Sequence, residues 1–189
     1  MKAYTEVRWH GRGGQGTVTA AKVFAEAALH GGKHVQAFPE YGPERMGAPL
    51  RAYNRVSSKP IRIHAQVTNP DIVVIVDPTL IGSVDVAEGT DNGAVFLINS
   101  PNPPDAFKAQ LGAKRKIYTV DATKISLETI GKPLPNTPLL GALARVEKML
   151  NLERLIAVVK KSFGKKFSDK VINSNIEAVE RAYKEVQGA

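Results

Sequence analysis

Apolar and polar positions along this chain change period several times, and each change marks an element. Residues 6–10 read as a first strand, followed by a glycine-rich stretch over residues 11–16. Residues 17–29 take up a helical period, with Val18, Ala21, Ala25 and Ala28 on a narrow packing stripe. Gly31 and Gly32 end that helix, in the role of residues that tolerate positive φ. Residues 34–38 read as a second strand. Residues 50–56 and 61–64 also look strand-like, and the turn Ser57-Ser58-Lys59-Pro60 between them predicts a hairpin. A hairpin departs from a pure βαβ pattern and predicts a mixed sheet.

The stretch DIVVIVD, bracketed by Asp71 and Asp77, is continuously apolar and reads as a central strand covered on both faces. Residues 94–99, after the turn Asp91-Asn92-Gly93, and residues 116–120, before Asp121, repeat that character. Strands alternating with short helical segments predict an α/β fold with a mostly parallel, mixed sheet. From Pro138 the pattern is helical only. Leu139, Leu140, Leu143, Val146 and Leu150 share one face, residues 152–163 form a second helix, and Ser168 caps a third. In that third helix Val171, Ile172, Asn175, Val179, Ala182 and Val186 fit one side. The expected organisation is one domain over residues 1–189, with the sheet in 1–137 and packed helices in 138–189. Those helices pack on the sheet or on a partner chain.

Composition narrows the chemistry. A chain of 189 residues buries a real core without a staple, and it has no cysteine. Thiolate zinc sites and cysteine-ligated iron–sulfur clusters are thereby excluded for this chain. His10, His30, His34 and His64 lie far apart, without a metal-binding spacing. The net charge of +8 favours an acidic partner or a phosphorylated ligand, or describes a solvated surface. Much of it sits at Lys114-Arg115-Lys116, Lys160-Lys161 and Lys165-Lys166, without a nucleic-acid-binding motif. No membrane-length apolar run and no signal-type leader is read, so a cytoplasmic chain without membrane or nucleic-acid partners is expected.

Two stretches carry candidate chemistry. His10-Gly11-Arg12-Gly13-Gly14-Gln15-Gly16 satisfies G-x-G-x-x-G between a strand and a helix. There, backbone N–H groups and the helix N-terminus can approach a phosphate, and Arg12 adds a charged fork. The plainer reading is a tight strand-to-helix crossover. A dinucleotide reading also asks for an acid at the end of the second strand. Glu40 lies near that place, but it follows Pro39 and heads an irregular loop. That loop, from Phe38 to Arg51, is loaded with Pro, Gly, aromatic and charged residues and suits recognition of a ligand or partner. Asp71, Asp77 and Asp121 read as strand ends or helix caps before they read as Mg²⁺ ligands. His10 reads as a packed, hydrogen-bonded histidine before it reads as a phosphate contact. The segment containing Asn136 and Thr137 either meets the site from the far side of the sheet or caps the next helix.

Together, EVRWHGRGGQG and QAFPEYGPERMGAPLRAYNRVS resemble the gamma subunit of 2-oxoacid:ferredoxin oxidoreductases, those for pyruvate and 2-oxoisovalerate nearest. NPDIVVIVD, VDAT, PNTPLLGAL and FGKKF follow in the same order, so the resemblance spans nearly the whole chain. It implies a Rossmann-like, three-layer domain in a complex that decarboxylates a 2-oxoacid with coenzyme A, yielding acyl-CoA, CO₂ and reduced ferredoxin. Thiamine diphosphate, Mg²⁺ and 4Fe–4S clusters are then held by alpha-, beta- and delta-type partner subunits. No cofactor is expected on this chain alone, and no catalytic residue or metal ligand is assigned to it. Gly11, Arg12, Gly13, Gln15 and Gly16 match the family's glycine loop, as candidates for contact with coenzyme A or a partner. Glu40, Tyr41, Gly42, Glu44, Arg45 and Gly47 match its second signature, as a partner or ligand loop. The competing reading is a stand-alone NAD(P)-binding Rossmann oxidoreductase, and a third is a basic nucleic-acid-binding module.

Overall fold

The computed structural model describes residues 3–40, 47–147, 149–164 and 167–188. Seven strands form one sheet in the order β2-β3-β1-β4-β5-β6-β7. They are β1 (Thr5–Arg12), β2 (His34–Glu40), β3 (Pro49–Ser57), β4 (Ile72–Ile75), β5 (Val95–Asn99), β6 (Lys116–Val120) and β7 (Gln187–Gly188). Strand β1 pairs in parallel with β4, β4 with β5 and β5 with β6. Strand β3 is antiparallel to both β1 and β2, and β7 is antiparallel to β6. Since β2 opposes β3 and β3 opposes β1, β2 runs with β1. Five strands therefore share one direction and β3 and β7 oppose them, so the sheet is mixed as expected, with a parallel centre from β1 to β6 and antiparallel pairings on either side.

The hairpin lies elsewhere than the sequence pattern predicts. Strand β3 pairs along its length with β2 on one side and β1 on the other, from Val35↔Val56 to Arg12↔Pro49. Both of its edges are thereby taken, so residues 61–64 have no ladder to join and run as irregular chain. Gln36 Nε2 ties that segment down by donating to Ile63 O (2.9 Å).

The sheet is covered unequally. One face packs on α1 (Thr17–His30), α3 (Ala122–Thr129), α4 (Asn136–Val146), α5 (Leu152–Gly164) and α6 (Asp169–Glu185). The other carries a thinner cover: a 3-10 turn at Pro78–Leu80, irregular chain that includes residues 63–66 and 84–88, a second turn at Pro104–Phe107 and α2 (Lys108–Leu111). Strand β4 shows the division: Ile72 and Val74 enter the helical core, and Val73 and Ile75 enter the thinner one. Helix α1 buries Ala20, Ala21, Phe24, Ala27 and Ala28, a wider face than the predicted stripe, and Ala25 sits at its margin. Trp9 meets Phe24 edge to face, and its indole N–H donates to Asn54 Oδ1 (2.8 Å).

The C-terminal helices lie on the sheet, as one of the two alternatives has it. Helix α4 ends at Val146, so Leu150 is buried from the following turn. Ser168 takes the N-cap position of α6 without a side-chain hydrogen bond. Val171 is exposed and Val186 lies past the helix end, whereas Ile172, Asn175, Val179 and Ala182 are buried as expected. The chain then returns to the sheet as β7, which the helical pattern of this third does not foretell.

Candidate functional site

Parallel sheets bind ligands where two neighbouring strands send their crossovers in opposite directions. Here that point lies between β1 and β4. The chain leaves β1 through the glycine loop and α1 toward β2, whereas from β4 it proceeds to β5. The glycine loop therefore stands where the sequence places it, after a strand and before a helix. Gly16 is its hinge, with a φ of 75°, and a Cβ there would stand 2.6 Å from Asn136 Cγ. Gly11 is equally constrained, because a Cβ would lie 2.0 Å from Thr17 Oγ1. Asn136 thus packs under the glycine loop and is not a helix cap. It arrives with α4, in the same layer as α1, and not from across the sheet.

The loop's polar groups are turned inward. Arg12 N donates to Gln15 Oε1 (2.8 Å), and Gly13 N donates to Ala48 O (3.0 Å). The Arg12 guanidinium contacts Asp77 Oδ2 through Nε (3.1 Å). Its two terminal nitrogens donate to Gly47 O and to Thr79 Oγ1, each at 3.1 Å. Gln15 Nε2 donates to the same Asp77 oxygen (2.7 Å). The other oxygen, Oδ1, accepts from Thr79 N (2.9 Å) and Thr79 Oγ1 (2.7 Å). Burial pushes the Asp77 carboxyl up, but the Thr79 and Gln15 hydrogen bonds and the Arg12 charge outweigh it and hold it below the usual range. Asp77 is therefore a cap, as read from the sequence, and also the hub of the site, which the sequence reading missed. Its only sequence signal was its place at the end of a central strand, opposite a charged glycine loop. Asp121 caps α3 by accepting from Lys124 N (2.9 Å), and Asp71 Oδ2 accepts from Glu6 N (2.8 Å). Among the described residues no group of three His, Asp or Glu is arranged to hold a metal ion.

Of the second signature, Glu40 and Gly47 are described, whereas Tyr41, Gly42, Glu44 and Arg45 lie outside the described residues. The structure joins Gly47 to the glycine loop through Arg12 and through Gly47 N donating to Gly13 O (3.3 Å). Glu40 closes β2 and accepts from the Tyr53 hydroxyl. It does not reach the glycine loop as a dinucleotide acid would. In that arrangement the second strand adjoins the first, whereas here β3 stands between them, which sets β2 about 10 Å from β1.

Beside the loop, β1 buries polar side chains on the face opposite its apolar ones. Glu6, Arg8 and His10 are all buried. Arg55 Nε pairs with Glu6 Oε1 at 2.7 Å, and Arg8 donates to the carbonyls of Val86 (3.0 Å) and Glu88 (2.8 Å). His10 is 1% exposed, and its Nε2 meets no hydrogen-bond partner among the described residues. Burial, with the positive charges of Arg8 and Arg51, lowers its pKa to about 3. His10 is thus packed, as expected, and neutral, with its Nε2 unpartnered among the described residues. Of the basic cluster at 114–116, Arg115 is engaged by Thr90 and lies over the Phe96 ring.

Comparison with known proteins decides the family. The profile of the pyruvate ferredoxin/flavodoxin oxidoreductase family matches residues 6–185. This chain belongs to that family. Among its relatives, pyruvate synthase subunit PorC of Thermotoga maritima is 47% identical over 186 residues, covering 98% of this chain and 96% of the relative. The pyruvate/ketoisovalerate oxidoreductases common subunit gamma of Pyrococcus abyssi is 43% identical over 177 residues, covering 93% and 96%. The crystal structure of the T. maritima pyruvate oxidoreductase subunit superposes with a TM-score of 0.88 at 44% identity, covering 100% of this chain and 99% of that one. A more distant protein shares the fold. The 2-oxoglutarate:ferredoxin oxidoreductase of Magnetococcus marinus, solved with 2-oxoglutarate, coenzyme A and succinyl-CoA, gives a TM-score of 0.77 at 20% identity. The match covers all of this chain and 32% of that longer one.

Proposed function

We propose that this chain is the gamma subunit of a multi-subunit pyruvate or 2-oxoisovalerate:ferredoxin oxidoreductase. The observation that carries this is the near end-to-end match, at 43–47% identity, to subunits of that name. The complex oxidatively decarboxylates a 2-oxoacid with coenzyme A and passes the electrons to ferredoxin. A chain with no thiolate does not fit a cysteine-held iron–sulfur cluster. We assign the clusters, thiamine diphosphate and Mg²⁺ to alpha-, beta- and delta-type partner subunits in the cytoplasm. Residues 1–189 act as one domain of that assembly. The glycine loop (Gly11, Arg12, Gly13, Gln15, Gly16) and the second signature (Glu40, Tyr41, Gly42, Glu44, Arg45, Gly47) face coenzyme A or the thiamine-bearing partner.

The NAD(P) alternative is disfavoured by the same geometry. Strand β3 separates Glu40 from the glycine loop, and Arg12 and Gln15 are spent on Asp77. The test is native mass spectrometry of the complex isolated with the tagged chain. Partners bearing ferredoxin-type cysteine patterns and a thiamine diphosphate motif support the proposal, with a colourless and inactive chain when purified alone. Stoichiometric NAD(P) on the isolated chain would overturn it.

A further inference from the structure

At the end of β1 the glycine loop meets Gly47 and Ala48 of the second signature stretch, and one carboxylate joins them to a third segment. Asp77 Oδ2 receives Arg12 and Gln15 from the glycine loop. Arg12 in turn holds Gly47 O, at the close of the second signature, and Thr79 Oγ1, in the turn after β4. Two backbone hydrogen bonds, Gly13 N to Ala48 O and Gly47 N to Gly13 O, complete the contact. The Arg12 side chain is 31% exposed and that of Asp77 only 10%, so the carboxylate lies beneath the surface that the loops present. A ligand or partner at this end meets the loops and not Asp77.

We infer that Asp77 is a positioning residue, which through Arg12 and Gln15 locks the glycine loop against Gly47 and Ala48, in the single pose that coenzyme A or the partner subunits engage. This rests on the proposed function for its consequence in turnover, but the lock itself is a property of this chain alone. A guanidinium held at three of its nitrogens leaves the glycine loop and Gly47 little freedom to separate. Ordering them before docking removes that cost from the docking step.

Asp77→Asn separates the lock from the cap. The remaining amide oxygen still accepts from Thr79 N, whereas the new NH₂ group cannot accept from Arg12 and Gln15. Asp121→Asn, at the end of β6, is the control, since Asp121 caps α3 and bonds neither signature among the described residues. In the isolated chain, Asp77→Asn is expected to speed amide exchange at Gly13 and Gly47 about tenfold, with the amides of β4 and β5 unchanged. In the assembled oxidoreductase it is expected to raise the KM for coenzyme A about tenfold and leave the KM for the 2-oxoacid unchanged. Loss of assembly by a folded Asp77→Asn chain, with Asp121→Asn assembling normally, supports the same role. Unchanged exchange at Gly13 and Gly47 overturns the lock. Faster exchange with normal assembly and an unchanged KM for coenzyme A overturns the positioning role. If the unaltered chain joins no oxidoreductase complex, the proposed function falls, and with it the role in turnover, while the exchange arm still decides the lock.

Discussion

Acid should unfold this chain in part through one histidine. His10 is neutral when folded, with its pKa lowered to about 3, and it regains an ordinary value near 6.5 when the chain unfolds. Below pH 6.5 the unfolded chain binds a proton that the folded chain refuses, so acid favours the unfolded state. The associated stability is complete above pH 6.5 and drains away as the pH falls toward 3. At about 1.4 kcal/mol per pH unit, the loss between pH 6.5 and pH 4 amounts to about 3 kcal/mol. The assay is urea unfolding of the isolated chain across that range, beside His10→Gln, whose amide does not titrate. With a urea slope of about 2 kcal/mol per molar, the wild-type midpoint should fall about 1.5 M more than that of the variant. Acid effects on Asp77 and other carboxyls are common to both proteins and cancel in the difference. Parallel midpoint curves for the two proteins would refute the reasoning, because they would mean that His10 takes up its proton in the folded sheet.

Three further outcomes follow from packing and pairing. Gly141→Ala places a Cβ 2.0 Å from the backbone oxygen of Val179, where α4 crosses α6. The overpacking should outweigh the gain in helix propensity by about 3 kcal/mol and lower the thermal midpoint by about 8 °C in calorimetry. Glu6→Leu removes the carboxylate from Arg55, whose side chain is 1% exposed. It should cost about 3 kcal/mol in denaturant unfolding, and a loss below 1 kcal/mol contradicts the importance of the pair. Asn54→Leu strips the indole N–H of Trp9 of its acceptor and removes the side-chain donor to Ala21 O. A cost of about 2 kcal/mol should be readable in the fluorescence of the single tryptophan, with an unchanged transition as the contrary result.

Much of the candidate site was legible because short-range rules govern it. A strand, a glycine run and a helix in succession can form little else, so the loop at residues 11–16 stands where the pattern puts it. The apolar stretch between Asp71 and Asp77 had to be covered on both faces, and its residues divide between the two cores. Asp77 was legible as a cap, which is a contact two residues long. Its second role joins residues 62 and 65 positions apart, and no local pattern records such a meeting.

The sequence by itself determined most element types, most of the turns that separate them and, by the lack of cysteine, that these residues offer no thiolate ligand. Those depend on backbone preference, side-chain period and composition, which act over a few residues. Tertiary structure decided which strands are neighbours. Residues 50–56 carry the same signal whether they pair with β1, with β2 or with residues 61–64, and only the closed sheet selects the first two. It also decided that Glu6, Arg8 and His10, polar positions of an alternating strand, are buried and not solvated, because irregular chain covers a face that alternation marks for water. The glycine loop shows both halves. Its form came from neighbouring residues, whereas the turning of Arg12 and Gln15 inward to a carboxylate from the adjacent strand came from the parallel β1–β4 contact, which sets the two strand ends side by side.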